Sequence, residues 1–230
     1  SGVVNFESGT NRNTIINAAG NTSVGTVNFT GSTTNNGAIT QNTVSNSGTL
    51  TNNAAITAAK VENSDVIINN SSITGAFRNT GTISGSGSVG MTGNSTNNGS
   101  ISQSSLSNSG NFTNNSLVEL TGVLTNSGTV TTKANLVTAS SINNSGQVFF
   151  TEGINANVIS GSGTTNFGGV SVNNASVAQG TVNNTGTLTS NSAINAATAL
   201  SNTGTLTSNA AITAAAVTNS GTLNNNASLS

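Results

Sequence analysis

Aliphatic residues recur along the chain at intervals of five or six, with polar residues between them and Asn or Gly at the joints. Over the last third they fall at Leu188, Ile194, Leu200, Leu206, Ile212, Val217, Leu223 and Leu229. Inside each short segment the pattern has period two. In Leu200-Ser-Asn-Thr-Gly-Thr-Leu206, alternate residues face one side while Ser201, Thr203 and Thr205 face the other. This predicts strands of a few residues, each burying one aliphatic. Helix fits poorly, because Gly, Asn, Ser and Thr dominate and all are weak in helix interiors.

A unit can be read out of this rhythm: aliphatic-x-Asn-x-Gly-x-aliphatic. Its Asn and Gly are Asn46 and Gly48, Asn79 and Gly81, Asn108 and Gly110, Asn126 and Gly128, Asn144 and Gly146, Asn184 and Gly186, Asn202 and Gly204, and Asn219 and Gly221. Asn63 with Asp65 is a variant. Most successive copies lie 16 to 18 residues apart. A near-constant period with about three aliphatics in it predicts a coil stacked on itself. The expected fold is all-β: a parallel β-solenoid of about 16–18 residues per turn with three short strands per turn, continuous as one domain over residues 1–230. Roughly 12 turns at about 4.8 Å would make a rod about 60 Å long.

A longer rhythm overlies the first. Thr34-Asn-Asn-Gly-Ala-Ile is echoed 62 residues later by Thr96-Asn-Asn-Gly-Ser-Ile, and long modules start near residues 25, 87 and 163. Each holds a closer pair of Asn residues, such as Asn35 and Asn46, which reads as an extra bend or small loop.

Stacking explains the Asn. If it points inward at the same place in every turn, its amide donates to one neighbour and accepts from another, so a buried polar group is satisfied. The Gly two residues later allows positive φ or makes room at a crowded corner. In the same alignment Glu62 should sit directly under Arg78 on the outer face as a solvated ion pair, worth about 0.2–1 kcal/mol.

Composition removes most chemistry. Of 230 residues, 42 are Asn, only 4% are charged, and Cys, His, Pro, Trp and Tyr are absent. Without Cys or His there is no thiolate or imidazole for metal binding, nucleophilic attack or general base work. The carboxylates Glu7, Glu62, Asp65, Glu119 and Glu152 and the cations Arg12, Lys60, Arg78 and Lys133 are too few and scattered for a hydrolase groove or a nucleic-acid footprint. No enzyme activity, cofactor, metal site or membrane insertion is expected, and no basic-then-apolar secretion signal opens the chain.

Three weaker signals remain. Outward Thr pairs at Thr49/Thr51, Thr129/Thr131, Thr187/Thr189 and Thr205/Thr207 could stack into a hydroxyl-and-methyl array like that of ice-binding solenoids. Matching positions in other copies hold Gln147 and Phe149, or Asn111 and Thr113, which interrupts such an array. Gly85-Ser-Gly87 and Gly161-Ser-Gly163 could cradle phosphate, but neither leads into a helix with a Lys, so both read as turns. Of the pair Phe149-Phe150, one ring must point outward.

The Asn-x-Gly-x-[Ile/Leu/Val] coils of residues 25–230 resemble the repetitive shaft of bacterial filamentous haemagglutinin-type exoproteins and autotransporter passengers. The resemblance lies in repeat character. It implies a right-handed β-helix, although the six-residue spacing by itself leaves a left-handed one open. It also implies an extracellular, surface-displayed role: the shaft of an adhesin or filament that spaces or displays binding regions. The partner expected is the chain's own kind, through continuation of a longer shaft or end-to-end stacking, with host or neighbouring cells met through other regions. A self-assembling biofilm fibre is the alternative.

Overall fold

Residues two apart share a face of a strand, and the next turn of a coil lies about 4.8 Å away. Every strand pairing therefore ties a residue to its counterpart one turn later. In the computed structural model, which describes residues 2–16, 25–133, 136–138 and 141–230, the described regular structure is all strand and the pairing is parallel. The fold is a β-solenoid of about 11 turns, divided between two compact units, Ser1–Thr121 and Gly122–Ser230.

In the first unit a turn has three faces. Strands Ile39–Asn46, Ile56–Asn63 and Ser72–Asn79 each cover two of them. They kink where two successive residues face outward, as at Ala59 and Lys60. Thr49–Asn52, Val66–Asn69 and Thr82–Ser84 make the third face. Two of the three short strands expected per turn are thus fused here into one kinked strand. In the following turn they separate into Ser88–Met91 and Asn94–Asn97, because the connection is longer and passes through Gly93 at φ 59°.

The core is a set of columns. Ile39, Ile56, Ile73, Val89 and Leu106 stack on the first face, and Leu50, Ile67, Ile83, Ile101 and Val118 on the third. All are buried, and each buried Val, Leu or Ile contributes roughly 1.5–3 kcal/mol of transfer free energy. The second unit repeats the plan, with Leu188 and Leu206 stacked on its third face and Val177, Ile194 and Ile212 on its first.

The turn length measured across ladder pairs is 16 to 18 residues from Asn35 onward. The first turn is longer, with 24 residues between Asn11 and Asn35. The closeness of Asn35 and Asn46 needs no extra loop. Asn35 ends a third-face strand and Asn46 ends the second face of the next turn, so they occupy two corners of one coil.

The motif glycines act through space rather than φ. None of them has positive φ, but a Cβ at Gly81, Gly110, Gly146, Gly186, Gly204 or Gly221 would sit 2.0 Å from a main-chain carbonyl oxygen one turn earlier. Where Asp65 replaces Gly, the cross-turn bond beside it, Val66 N to Gly48 O, is 3.3 Å, against 2.9 Å for Thr222 N to Gly204 O. The side chain is admitted by loosening the stack. Gly204→Ala should therefore cost about 1–3 kcal/mol through overpacking, read as a lower urea midpoint. Gly2→Ala, whose Cβ meets nothing within 4 Å, should leave the midpoint unchanged.

Candidate functional site: corner ladders and outward faces

Where a face ends the backbone turns, and corner carbonyls such as Gly48 O and Asp65 O accept a single main-chain N–H from the next turn. Asn at that position supplies a second donor. Asn46 Nδ2 donates to Gly48 O at 2.7 Å, to Asn63 Oδ1 at 2.8 Å and to Val66 O at 3.0 Å, so two protons serve three acceptors. Asn63 repeats the set with Asp65 O, Asn79 Oδ1 and Thr82 O. Asn79 continues to Asn97, and Asn97 to Asn114. These amides are almost wholly buried.

The expected ladder residues do not form a single row. Asn46, Asn63 and Asn79 share the second-face corner of the first unit. Asn108 is in register with Met91 at the end of the first face, so it does not continue the Asn79 row, and its amide donates to Gly110 O. In the second unit Asn126 and Asn144 pair at the first-face corner, while Asn184, Asn202 and Asn219 run along the second. Asn97 and Asn114, which the sequence reading did not single out, fill the places after Asn79. The signal was concealed because Ser95 stands at the inward aliphatic position before Asn97.

Additional rows appear. Asn11, Asn35, Asn52 and Asn69 form a buried ladder at the third-face corner, and Asn155, Asn173 and Ser190 form one in the second unit. On the outside, Asn36, Asn53 and Asn70 form an exposed row, as do Asn174, Asn191, Asn209 and Asn226.

Two ladders begin on an aromatic ring. Asn46 sits over Phe29 and Asn184 over Phe167, and each Asn Oδ1 is buried without a hydrogen-bond donor. Beneath, Phe29 stacks on Phe6 and Phe167 on Phe150 at centroid distances of 5.4 Å. Phe150 is buried, and Phe149 is the half-exposed member of its pair.

The Gly-Ser-Gly segments also belong to the ladders. Gly85 and Gly161, with φ of 116° and 124°, leave a rung without a side chain. A longer amide fills it from the next turn. Asn69 Nδ2 donates across to Gln103 Oε1, and Asn144 Nδ2 to Gln179 Oε1, both at 2.7 Å, over separations of 34 and 35 residues. Each Gln Nε2 also approaches the glycine carbonyl at 3.4 Å.

Outside, Glu62 and Arg78 are in register in adjacent turns, but the ion pair among the described residues is Lys60 Nζ–Glu62 Oε1 at 2.6 Å. Lys60 and Glu62 share the outward side of one strand, and the long Lys stem reaches its neighbour along the strand. The pair is half exposed, so its stabilisation is small. Arg78 stands between two shallow grooves. One, about 640 Å³, is bordered by Lys60, Asn94 and Thr96; the other, about 290 Å³, by Glu62, Ser64 and Thr80. These can offer hydrogen bonds and one uncompensated cation. Among the described residues no three His, Cys, Asp or Glu side chains gather to hold a metal, and no helix is long and apolar enough to cross a membrane.

In comparisons with protein-family models, curated proteins and solved structures, nothing matches this chain.

Two substitutions probe the ladders. Asn63→Ala removes a donor to Asp65 O and Thr82 O and an acceptor for Asn46, and should cost about 2–4 kcal/mol by urea unfolding. Asn63→Asp keeps the acceptor for Asn46 but puts a carboxylate oxygen where Nδ2 donates to Asp65 O, Asn79 Oδ1 and Thr82 O. Burial raises the folded-state pKa of such a group, so this variant should be least stable near pH 7 and should regain stability as pH falls. Gln179→Asn, although it installs the usual ladder residue, is too short to reach Asn144 across Gly161. It should lose about 1–3 kcal/mol, as should Gln179→Leu, both read by urea unfolding.

Proposed function

We propose that the chain is part of the shaft of a bacterial extracellular adhesin or filament of the filamentous haemagglutinin or autotransporter-passenger kind, holding binding regions away from a cell surface. The observation that carries this reading is the repetition of one set of bonds in every turn. Main-chain pairing and buried amide rows recur at 16 to 18 residue intervals from Asn35 onward, so length is added without adding a new kind of core. An exterior of Asn, Ser and Thr with few charges suits a spacer that must remain hydrated along its length. The Asn-x-Gly coils resemble those of the shaft families, and the closed amide rows favour resistance to stretching and to proteases.

Antibodies raised against the purified chain test the reading. They should label intact source cells, with immunogold particles standing off from the outer boundary. Labelling that appears only after permeabilisation would overturn it. Micrometre fibres formed by the purified chain alone in negative stain would favour the self-assembling alternative instead.

A further inference from the structure

The outward side chains of the three faces are unlike one another, although all are built on the same extended backbone. In the second unit the first face turns out Asn143, Val158, Ser160, Ala178 and Asn195, and the second turns out a mixture of Gln147, Phe149, Thr164, Asn166, Thr181 and Asn183. The third face is different. Val170 and Val172 lie in register with Thr187 and Thr189, and these with Thr205 and Thr207 in the next turn. Ile154, 57% exposed, lies beside Val172, and Thr222 extends the row beyond Thr205. The first unit shows the same arrangement on its own third face, where Thr49 and Thr51 are in register with Val66 and Ile68, and Val66 with Thr82.

The interruption by Gln147 and Phe149 falls on the Thr129/Thr131 pair alone and does not reach the Thr pairs of the third face. Thr129 and Thr131 belong to the second face, with Gln147 and Phe149 one turn later, whereas Thr187, Thr189, Thr205 and Thr207 form an unbroken block on the third. We propose that this third face of the Gly122–Ser230 unit binds ice.

The physical grounds are four. Spacing is set by the main chain: about 4.8 Å between turns and about 6.6–6.8 Å between residues two apart in a strand, a two-dimensional grid comparable to the oxygen spacings of an ice surface. The side chains are β-branched, which restricts χ1 and holds each methyl and hydroxyl in place. The hydroxyls of Thr187, Thr189, Thr205 and Thr207 are tied by no hydrogen bond to the protein, so they remain available to lattice water. No charged residue is among Thr187, Thr189, Thr205 and Thr207; Glu152, two residues before Ile154, stands at the far edge beyond Val170. The second face also turns out Thr164 and Thr181, but each stands beside an Asn, Asn166 or Asn183, and their column runs between Gln147 and Ala199, whereas on the third face two Thr two residues apart repeat in successive turns.

The proposal is independent of the shaft reading and is tested on the whole chain. Partition into a slowly growing ice hemisphere and inhibition of ice recrystallisation are measured for the unmodified chain, with an unrelated non-binding protein of similar mass as the reference. The chain should be enriched in ice over that reference. Thr189→Lys and Thr207→Lys should abolish the enrichment, while Asn183→Lys on the second face should leave it intact, with far-UV circular dichroism unchanged in all three. Exclusion of the unmodified chain from ice to the same degree as the reference overturns the proposal without recourse to any variant. Equal loss in Asn183→Lys also overturns it, as does retention of the chain on crystalline cellulose or chitin with no partition into ice.

Discussion

Main-chain pairing between one turn and the next is the constraint from which the rest follows. Because each residue is held beside its counterpart 16 to 18 positions later, every inward side chain must be compatible with the column above and below it. Columns of aliphatics bury one another. Columns of amides satisfy one another, and in doing so they supply a second donor to corner carbonyls that already accept one main-chain N–H. An Asn here costs little to bury because its partners are provided by repetition, and each rung depends on the presence of its neighbours.

Departures within a column show how far the rule bends. Phenylalanine can take the corner position if another ring stacks beneath it, but the next Asn then has a carbonyl oxygen facing an aromatic face with no donor, as at Asn46 and Asn184. Glycine can leave a rung vacant if a glutamine follows, since one additional methylene carries the amide across the gap to the Asn two turns away. Serine can end a row by bonding a carbonyl two residues on, as Ser190 does with Ser192 O. The rows also have polarity. Buried amides donate toward later turns, as from Asn46 to Asn63, whereas the exposed Asn rows donate toward earlier ones, as from Asn70 to Asn53. The corner carbonyls explain the difference, because a buried Nδ2 must also reach the carbonyl of the following turn.

This division of labour leaves the outside free to vary. Interior columns carry the fold, so outward positions can hold an ion pair, an exposed amide row or a block of Thr and Val without disturbing it. Chemistry on such a scaffold comes from repetition of a weak group at fixed spacing, as on the third faces, more readily than from a cluster of reactive residues.

How much of this could be read from the chain alone depended on whether a property was local. Alternation, the spacing of Leu188, Ile194 and Leu200, and the wealth of Asn and Gly determined a parallel solenoid with inward amides, because each reports a strand, a turn or a burial preference that neighbours in sequence settle. Which corner each copy occupies was not legible. Asn35 and Asn97 carry the same motif 62 residues apart, yet one closes the third face and the other the second, because that interval is not a whole number of turns. The three faces are near-equivalent in sequence, and a motif can move from one to another without local penalty. Only the register of main-chain bonds decided that Asn108 rests beside Met91, that Gln103 completes the row of Asn69, and that Thr187, Thr189, Thr205 and Thr207 share one uninterrupted surface.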